Sequence, residues 1–472
     1  MRRSKVTDEL LGMIRSGASM SLHQRIELAI RLSLPAIVAQ LSSVMMQYID
    51  ASMVGHLGAD EAASIGLVST STWLFMGLIS SVSTGHSVQI AHRIGAGALD
   101  EARSIVRQAY VTMLIWSLCI MGIALGISGS LPGWLGAAQE IHAGASLYFR
   151  IFAFTLPFMG LYWVSGGMLR CSGNIKLPSM LGICMCVLDV VFNFLFIFPT
   201  RSVQLLGQEF SIWGAGLGVA GAAIGTACAT ITVMLIIMWF LLFRSPELNQ
   251  RGLGKWRLNF SREVFRKAIH ISSPMAFERV VMCGAQVLST AIVAPLGTIA
   301  IAANSFGITI ESLCYMPGYG VAEAATTLTG QTLGAKRLDL TRKFTNIVLT
   351  MGIGVMTFMG FLMYVFAPQM MAVVTPHEGI VELGTEVLRI EAFAEPMFAA
   401  AIVSYSIFVG AGKTIVSSTI NFTCIWLVRL SLAWLLAPHY GLMGVWVAMA
   451  VELCVRGVVF LFQVYRWRWL KM

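Results

Sequence analysis

The fold is decided by one segment, Met46-Gln-Tyr-Ile-Asp-Ala-Ser-Met-Val-Gly-His-Leu-Gly-Ala-Asp-Glu-Ala-Ala-Ser-Ile-Gly66. Asp50 lies in the first part of this segment, which is otherwise apolar enough to belong to a span that crosses a bilayer. A charged residue at membrane depth costs about 2.5–3.5 kcal/mol on insertion scales. Such residues usually serve a function, so Asp50 is the first candidate site residue.

The composition around this segment is that of a membrane protein. The chain has 472 residues, of which 57% are hydrophobic and only 12% are charged, with a mean hydropathy of +0.77. Soluble globular proteins carry about 25% charged residues. The net charge of +9 does not indicate nucleic-acid binding, because the basic residues lie in short loops between apolar spans. The nine cysteines show no zinc spacing, and the sequence predicts no cofactor.

Twelve apolar segments are each long enough to cross a membrane, which takes about 20 residues. They are continuously apolar and too long for barrel strands, so an all-α polytopic membrane protein is predicted. The predicted spans are 29–53, 64–88, 106–128, 145–168, 178–199, 214–243, 268–293, 300–326, 344–366, 384–408, 416–437 and 443–465.

The loops on one side of these spans carry almost all of the Lys and Arg residues, which predicts that both termini and the central loop are cytoplasmic. The expected location is a bacterial inner membrane. Residues 1–25 are predicted to form a cytoplasmic segment that lies on the inner membrane surface. The expected organisation is then a six-helix lobe at 26–243, a cytoplasmic linker at 244–266, a second six-helix lobe at 267–466 and a tail at 467–472.

The two halves of the chain repeat each other. At a fixed offset many landmarks coincide, among them Pro35 with Pro274 and Gly95 with Gly334. Near the ends of the halves the offset becomes smaller, so that Gly218 coincides with Gly441, and the extra residues of the first half lie around 200–213. Two lobes related by an axis along the membrane normal are a transporter architecture, with the substrate site between the lobes.

Three passages resemble the multidrug and toxic compound extrusion (MATE) family of secondary transporters. They are Asp50 with Met53-Val-Gly-His-Leu-Gly58 and Ala62-Ala63, then Leu169-Arg-Cys-Ser-Gly173 with Pro178, and finally Leu296-Gly297 with Gly330-Gln-Thr-Leu-Gly334. The resemblance extends from about Arg25 to the C-terminus. It implies export of bulky, often cationic organic compounds in exchange for inward H⁺ or Na⁺, by alternating access.

Asp50 does not recur in the second half, where Ser289 takes its place, so the fold itself does not require an acid there. An ionised Asp50 can hold a cation, and a protonated one is a neutral donor. Pro35 lies earlier in the same predicted helix and removes a main-chain donor, which creates a candidate hinge. The resemblance implies the same two roles. The alternative is a structural Asp50 that is bonded to neighbouring groups.

Asp189 and Asn193 are four residues apart and therefore share one helix face. With Asp50, and with Gln47 one turn before it, they form the predicted cation-coupling cluster. Asp50, Asp189 and Asn193 are the candidate ligands of a Na⁺ ion. Many family members have the Asn first and the Asp four residues later, so the reversed order here leaves the choice between H⁺ and Na⁺ open. Helix–helix hydrogen bonding is the alternative role.

A second candidate site for an ion or a substrate comprises Glu278, Glu391, Glu395 and Arg429 in the second half. Some family members pair a Glu of the seventh helix with an acid of the tenth, although Glu278 lies about one turn earlier than in those relatives. Glu391 and Glu395 replace Phe152 and Leu156 of the first half. An ion pair of these acids with Arg389 or Arg429 is the alternative.

The main alternative function is a flippase of the same superfamily for lipid-linked saccharide precursors. It would favour cationic residues in the central cavity, whereas buried acids outnumber buried bases here. An enzyme is not predicted, because no nucleophile or metal motif is present, and Gly216-Leu-Gly-Val-Ala-Gly221 follows no predicted strand that would make it a dinucleotide site. The expected partners are small organic substrates and membrane lipids, and a monomer is expected.

Overall fold

The computed structural model describes residues 5–205, 208–250 and 260–470. The predicted cytoplasmic linker at 244–266 and tail at 467–472 therefore lie partly outside the described residues. In the first half the helices are α1 Lys5–Ser16, α2 Leu22–Gly55, α3 Ala59–Gly95, α4 Leu99–Ile127, α5 Leu131–Trp134, α6 Gln139–Cys171, α7 Lys176–Ile197 and α8 Gly218–Phe243. In the second half they are α9 Arg262–Val293, α10 Thr298–Gly334, α11 Leu338–Val374, α12 Glu378–Ala392, α13 Glu395–Gly410, α14 Thr414–Thr423 and α15 Ser431–Tyr465.

Every predicted span coincides with a helix or a pair of helices. The span at 384–408 is broken into α12 and α13, which are bent by 57°. Pro396 lies in the first turn of α13, where its missing N–H costs no hydrogen bond. The last two predicted spans lie in one 52-residue helical run, Thr414–Tyr465, in which Gly441 takes the non-helical angles φ 58° and ψ −140° and turns the chain back.

A β-hairpin separates α7 from α8 and was not predicted. Strands β1 Pro199–Leu205 and β2 Gln208–Ala215 pair in antiparallel fashion. This hairpin lies where the first half has its extra residues. The predicted spans at 178–199 and 214–243 therefore each run slightly into a strand, because hydropathy alone does not mark where a helix gives way to an extended chain.

Each half of the chain packs around its own core. In the first half, α3, α4, α6 and α8 bury Val68, Met113, Phe149 and Val233. In the second half, the fully buried Trp446 packs across Gly307 and donates a hydrogen bond from Nε1 to Asn304 Oδ1 at 3.0 Å. Lipid tails are as apolar as leucine, so close fit and interhelical hydrogen bonds hold such helices together.

The two lobes meet at the end of the bundle that holds both termini. There α3 and α10 cross at two glycines: a Cβ on Gly95 would meet the carbonyl oxygen of Gln331, and one on Gly334 would meet that of His92. The same end contains an ion pair between the lobes, from Arg170 Nε to Glu323 Oε2 at 3.3 Å. We call this crossing of α3 and α10 at Gly95 and Gly334 the gate.

The N-terminal helix α1 packs on the gate end of the protein. Leu11 and Ile14 are fully buried in a core that includes residues of α2 and α10. Arg15 pairs at 3.1 Å with Glu247, which follows the end of α8, and Arg337 of the second lobe donates hydrogen bonds to two carbonyls at the end of α1. The segment expected to lie on the membrane surface therefore packs against both lobes, because its apolar face is buried in a crevice of the protein.

Candidate ion-coupling site

The first site is built by α2 and α7 in the half of the membrane away from the gate. Asn193 Nδ2 donates to Asp50 Oδ1 at 3.1 Å and to Asp189 Oδ2 at 3.2 Å. Asn193 Nδ2 therefore joins the two carboxyl groups, and Asp50 and Asp189 lie within electrostatic range of each other. Asp189 and Asn193 are only 1% and 2% exposed. The helix spacing of Asp189 and Asn193 thus brings both against Asp50, as predicted.

Helix α8 packs against this cluster. Gly225 packs against Asn193, and a Cβ there would overlap Asn193 Oδ1. The neighbouring Thr226 lies close to Asp189, and the Tyr148 hydroxyl of α6 lies within electrostatic range of both carboxyl groups. Thr226 and Tyr148 were missed at the sequence level, since one hydroxyl in an apolar helix gives no recognisable pattern.

The chemistry of the cluster follows from its two acids. Two carboxyl groups that share one amide donor and are largely shielded from water do not both carry a charge unless a cation lies between them. The pair therefore suits one H⁺ or one small cation. For a cation such as Na⁺, the oxygen donors would be Asp50, Asp189, the buried Asn193 Oδ1 and the Thr226 hydroxyl. No group of three or more acidic, His or Cys side chains that could hold a metal is found among the described residues.

Gln47, a predicted member of the cluster, and Pro35, the predicted hinge, both lie apart from it. Gln47 is exposed and makes no hydrogen bond to Asp50, Asp189 or Asn193 in the described chain. Pro35 lies within α2, which continues as one helix on both sides of it. Asp50 lies about four turns further along the same helix, so a bend at Pro35 would move the whole carboxylate-bearing end.

The predicted second site is divided between two places. Glu278 of α9 accepts hydrogen bonds from Tyr405 at 3.1 Å, Ser418 at 2.6 Å and Asn421 Nδ2 at 2.7 Å. Its carboxylate is therefore fully engaged by α13 and α14. Arg279 follows it and packs against Gly77 of the first lobe.

Glu391 and Glu395 lie in a separate acidic cluster within the second lobe. Both are fully buried, and all four of their carboxyl oxygens lack hydrogen-bond partners among the described residues. Glu311 of α10 and Glu452 of α15 lie within electrostatic range of Glu391. Sequence reasoning overlooked Glu452, although its position four residues before Arg456 is a recognisable helix pair.

The basic residues of this cluster are placed differently from the prediction. Arg456 pairs with Glu452, with Nε and Oε1 3.0 Å apart. Arg429 lies in a π-helical segment, Cys424–Leu430, and influences Glu311 and Glu391 only through space. Arg389 lies over the Tyr364 ring at 5.5 Å. The expected ion pair of Glu391 or Glu395 with Arg389 or Arg429 is therefore not formed, because Arg389 lies on Tyr364 and no direct contact joins Arg429 to either acid.

The contacts between the lobes show on which side of the Asp50 site the two lobes touch. The cross-lobe hydrogen bonds cluster in the gate half, and the one that reaches deepest into α2 runs from Gln40 to Glu323 at 3.3 Å. Asp50 lies ten residues beyond Gln40, or about 15 Å along the helix. The lobes thus touch between Asp50 and the end that holds the termini.

Comparison with known proteins gives two consistent results. The family model MatE matches residues 35–195 and again residues 274–435, so the two matches begin at the equivalent prolines of the repeat, Pro35 and Pro274. Among curated proteins, the chain is 25% identical over 450 residues to the probable multidrug resistance protein NorM of Thermotoga maritima, covering 94% of this chain and 92% of that protein. It is 21% identical to the probable multidrug resistance protein YoeA of Bacillus subtilis, with 93% and 92% covered.

Solved structures share the fold. One is described as the outward-facing conformation of a multidrug resistance MATE family transporter, with a TM-score of 0.87, 21% identity and full coverage of both chains. Another is the Vibrio cholerae MATE transporter VcmN in its bent form, with a TM-score of 0.82, 20% identity and coverage of 99% and 98%. At this level of identity the likeness establishes the twelve-helix architecture predicted from the sequence.

Proposed function

The chain belongs to the MatE family of transporters, and from that premise we propose that it exports organic compounds, often cationic, in exchange for inward H⁺ or Na⁺. Membership of a transporter family agrees with the prediction that the protein is not an enzyme. The curated relatives described above are named as probable multidrug resistance proteins and match along nearly their whole length, which supports drug-like substrates.

The observation that carries the proposal is the pairing of Asp50 and Asp189, whose carboxyl groups both accept a hydrogen bond from the Asn193 amide. One shared positive charge makes this buried pair stable, and its removal leaves two carboxylates that repel each other out of water. The cluster therefore has two states that differ by one bound cation. Because Asp50 is on α2 and Asp189 is on α7, loading and unloading the cation changes the force between these two helices.

The gate supplies the other half of an exchange cycle. With the termini in the cytoplasm, as the Lys and Arg distribution predicts, the lobes are closed on the cytoplasmic side and the coupling site faces outward. A coupling cation would enter from outside, and Pro35 would act as the hinge through which α2 responds. A substrate site between the lobes would then open to the cytoplasm when the gate separates. One charge that crosses about 100 mV yields about 2.3 kcal/mol, so one or two ions can drive export.

The acidic cluster of the second lobe supports a second ion or a cationic substrate. Its buried Glu391 and Glu395, whose carboxyl oxygens lack hydrogen-bond partners among the described residues, gain the most from a bound positive charge. The positive charge of Arg429 would limit how much further positive charge the cluster holds. Glu278 is less suited to this role because three donors already satisfy its carboxylate. The functional unit is a monomer of two lobes, at about 26–243 and 267–466, in a bacterial inner membrane.

The test is export of ethidium from whole cells in which the proton and Na⁺ gradients are collapsed separately. Export should stop when the gradient of the coupling ion is lost and should continue when the other gradient is lost. Export that continues after both gradients are abolished would contradict an antiporter. Collapse of one gradient at a time also decides between H⁺ and Na⁺ at the Asp50 and Asp189 pair.

A further inference from the structure

A basic pocket of about 440 Å³ lies at the gate, apart from both acidic clusters. Four cationic side chains line it, and they come from both lobes. Arg93 belongs to α3 of the first lobe, and the others belong to the second lobe: Lys267, Lys336 and Lys413. We propose that this pocket binds a phosphate group and that the bound anion holds the gate closed.

The charges of the pocket are only partly balanced by the protein. Arg93 pairs with Glu101 at 2.7 Å and Lys267 pairs with Glu263 at 2.6 Å, and both pairs are largely exposed. Exposed ion pairs contribute little to stability, so an incoming anion competes with them readily. Lys336 and Lys413 have no carboxylate partner within the part of the chain that the structure describes.

The internal repeat shows that the fold does not require these cations. In the other half, the equivalents of the four pocket cations are all uncharged: Thr332 for Arg93, Leu28 for Lys267, Gly97 for Lys336 and Asn174 for Lys413. The crevice on that side of the gate is filled by α1, whose Leu11 and Ile14 share a core with Leu28. One of two related crevices is thus filled by an apolar helix, and the other is a basic pocket.

Closing the gate brings the cations of the two lobes together. Arg93 and Lys267 both lie within electrostatic range of His92, whose Nε2 donates to Gly410 O across the interface at 2.8 Å. Positive charges gathered from opposite lobes repel each other, and an anion between them reverses the sign of that interaction. An anion that contacts both lobes therefore binds the closed gate more tightly than the open one.

Phosphate is the matching chemistry, and it has two sources. Basic pockets between helices at this face of a membrane bind phospholipid head groups, whereas a free phosphate or pyrophosphate could enter from solution. The pocket lies at the ends of α3 and α10, where both sources reach it. The two are separated by the choice of probe.

The test uses the purified full-length protein in detergent and follows its melting temperature. The probes are pyrophosphate and dioctanoyl phosphatidylglycerol, with dioctanoyl phosphatidylcholine as the lipid that lacks a net charge. We expect saturable stabilisation by an anionic probe, with affinity reduced roughly tenfold or more in Lys336→Gln/Lys413→Gln. The control Lys176→Gln/Lys343→Gln removes two lysines outside the pocket and should keep the parent affinity.

Each result has one meaning. Stabilisation by the anionic lipid alone identifies a head group, and stabilisation by pyrophosphate alone identifies a soluble anion. Equal affinity in the parent and in Lys336→Gln/Lys413→Gln, or no saturable effect of either probe, overturns the site. Gly95→Ala keeps every cation but separates the lobes, so unchanged affinity in that variant overturns the link to the gate. These binding measurements do not depend on transport.

Discussion

His92 and Gln331 occupy equivalent positions in the two halves of the repeat and make equivalent hydrogen bonds across the gate. His92 Nε2 donates to Gly410 O at 2.8 Å, and Gln331 Nε2 donates to Cys171 O at 2.9 Å. The two acceptors, Gly410 and Cys171, are also equivalent in the repeat. The duplication therefore extends to the contacts of the gate. It does not extend to the two candidate ion sites, because the acidic residues of each site have no acidic equivalent in the other lobe.

The close crossing of α3 and α10 predicts that the gate tolerates no side chain at its glycines. Gly95→Ala and Gly334→Ala each place a Cβ inside the opposite main chain, so the lobes must separate. Alanine favours a helix over glycine by up to about 1 kcal/mol, so a loss of function cannot come from helix propensity. We expect strongly reduced ethidium export at normal membrane levels. Gly122→Ala in α4, where nothing lies within 4 Å, is the control and should export like the parent.

Asp50→Asn should abolish export while the protein inserts normally. The amide keeps the size of the side chain but removes the charge that lets the pair with Asp189 take up a cation. Export is measured as ethidium efflux, and membrane level by immunoblot. Gln47→Ala, one turn away and outside the hydrogen-bonded cluster, should remain active. An Asp50→Asn variant that pumps like the parent would show that Asp50 is structural.

Gly225→Ala should disturb the same site without changing any polar residue. A Cβ at this position overlaps Asn193 Oδ1 and crowds the main chain of α7, so Asn193 must move away from Asp50 and Asp189. We expect a higher concentration of the coupling ion to be needed for half-maximal export. Gly182→Ala is the matched control on α7, because its nearest contact would be an ordinary 3.8 Å from Tyr162. Identical ion dependence in both variants would argue against a role for Asn193.

The ion pair between Arg170 and Glu323 predicts a charge-swap rescue. Glu323→Arg puts two guanidinium groups face to face across the lobes and should weaken the closed gate. Adding Arg170→Glu restores an opposite-charge pair and should recover most of the lost export. Since both groups are partly exposed, the direct pair energy is about 1 kcal/mol or less, and the cycle of single and double variants measures it by thermal unfolding. Additive effects of the two substitutions would mean that the pair is not coupled.

The acidic cluster of the second lobe predicts two different responses to the same chemical change. Glu452→Gln leaves the buried Arg456 without its charged partner and should lower the unfolding free energy by about 3–5 kcal/mol. Glu395→Gln should change stability little, because the carboxyl group it replaces already lacks hydrogen-bond partners in the described part of the chain. Both are read from melting curves in detergent. A larger loss for Glu395→Gln than for Glu452→Gln would reverse the assignment.

The sequence by itself determined the membrane character, the twelve spans, the duplication and the candidate residues Asp50, Asp189 and Asn193. These follow from local properties: hydropathy over the length of one span, helix periodicity, and identity at a fixed offset. Helix boundaries were displaced by several residues, as at α2, because the polar ends of long helices extend beyond the apolar stretch that marks a span.

Tertiary structure alone decided which polar groups meet. It added Thr226 and Tyr148 to the first site, kept Gln47 out of it, and separated Glu278 from Glu391 and Glu395. It also placed α1 in one crevice of the gate and left a basic pocket in the related one. These outcomes depend on how distant helices cross and rotate. That is set by the fit of small residues such as Gly95 and Gly225 against a partner main chain, which no local pattern encodes.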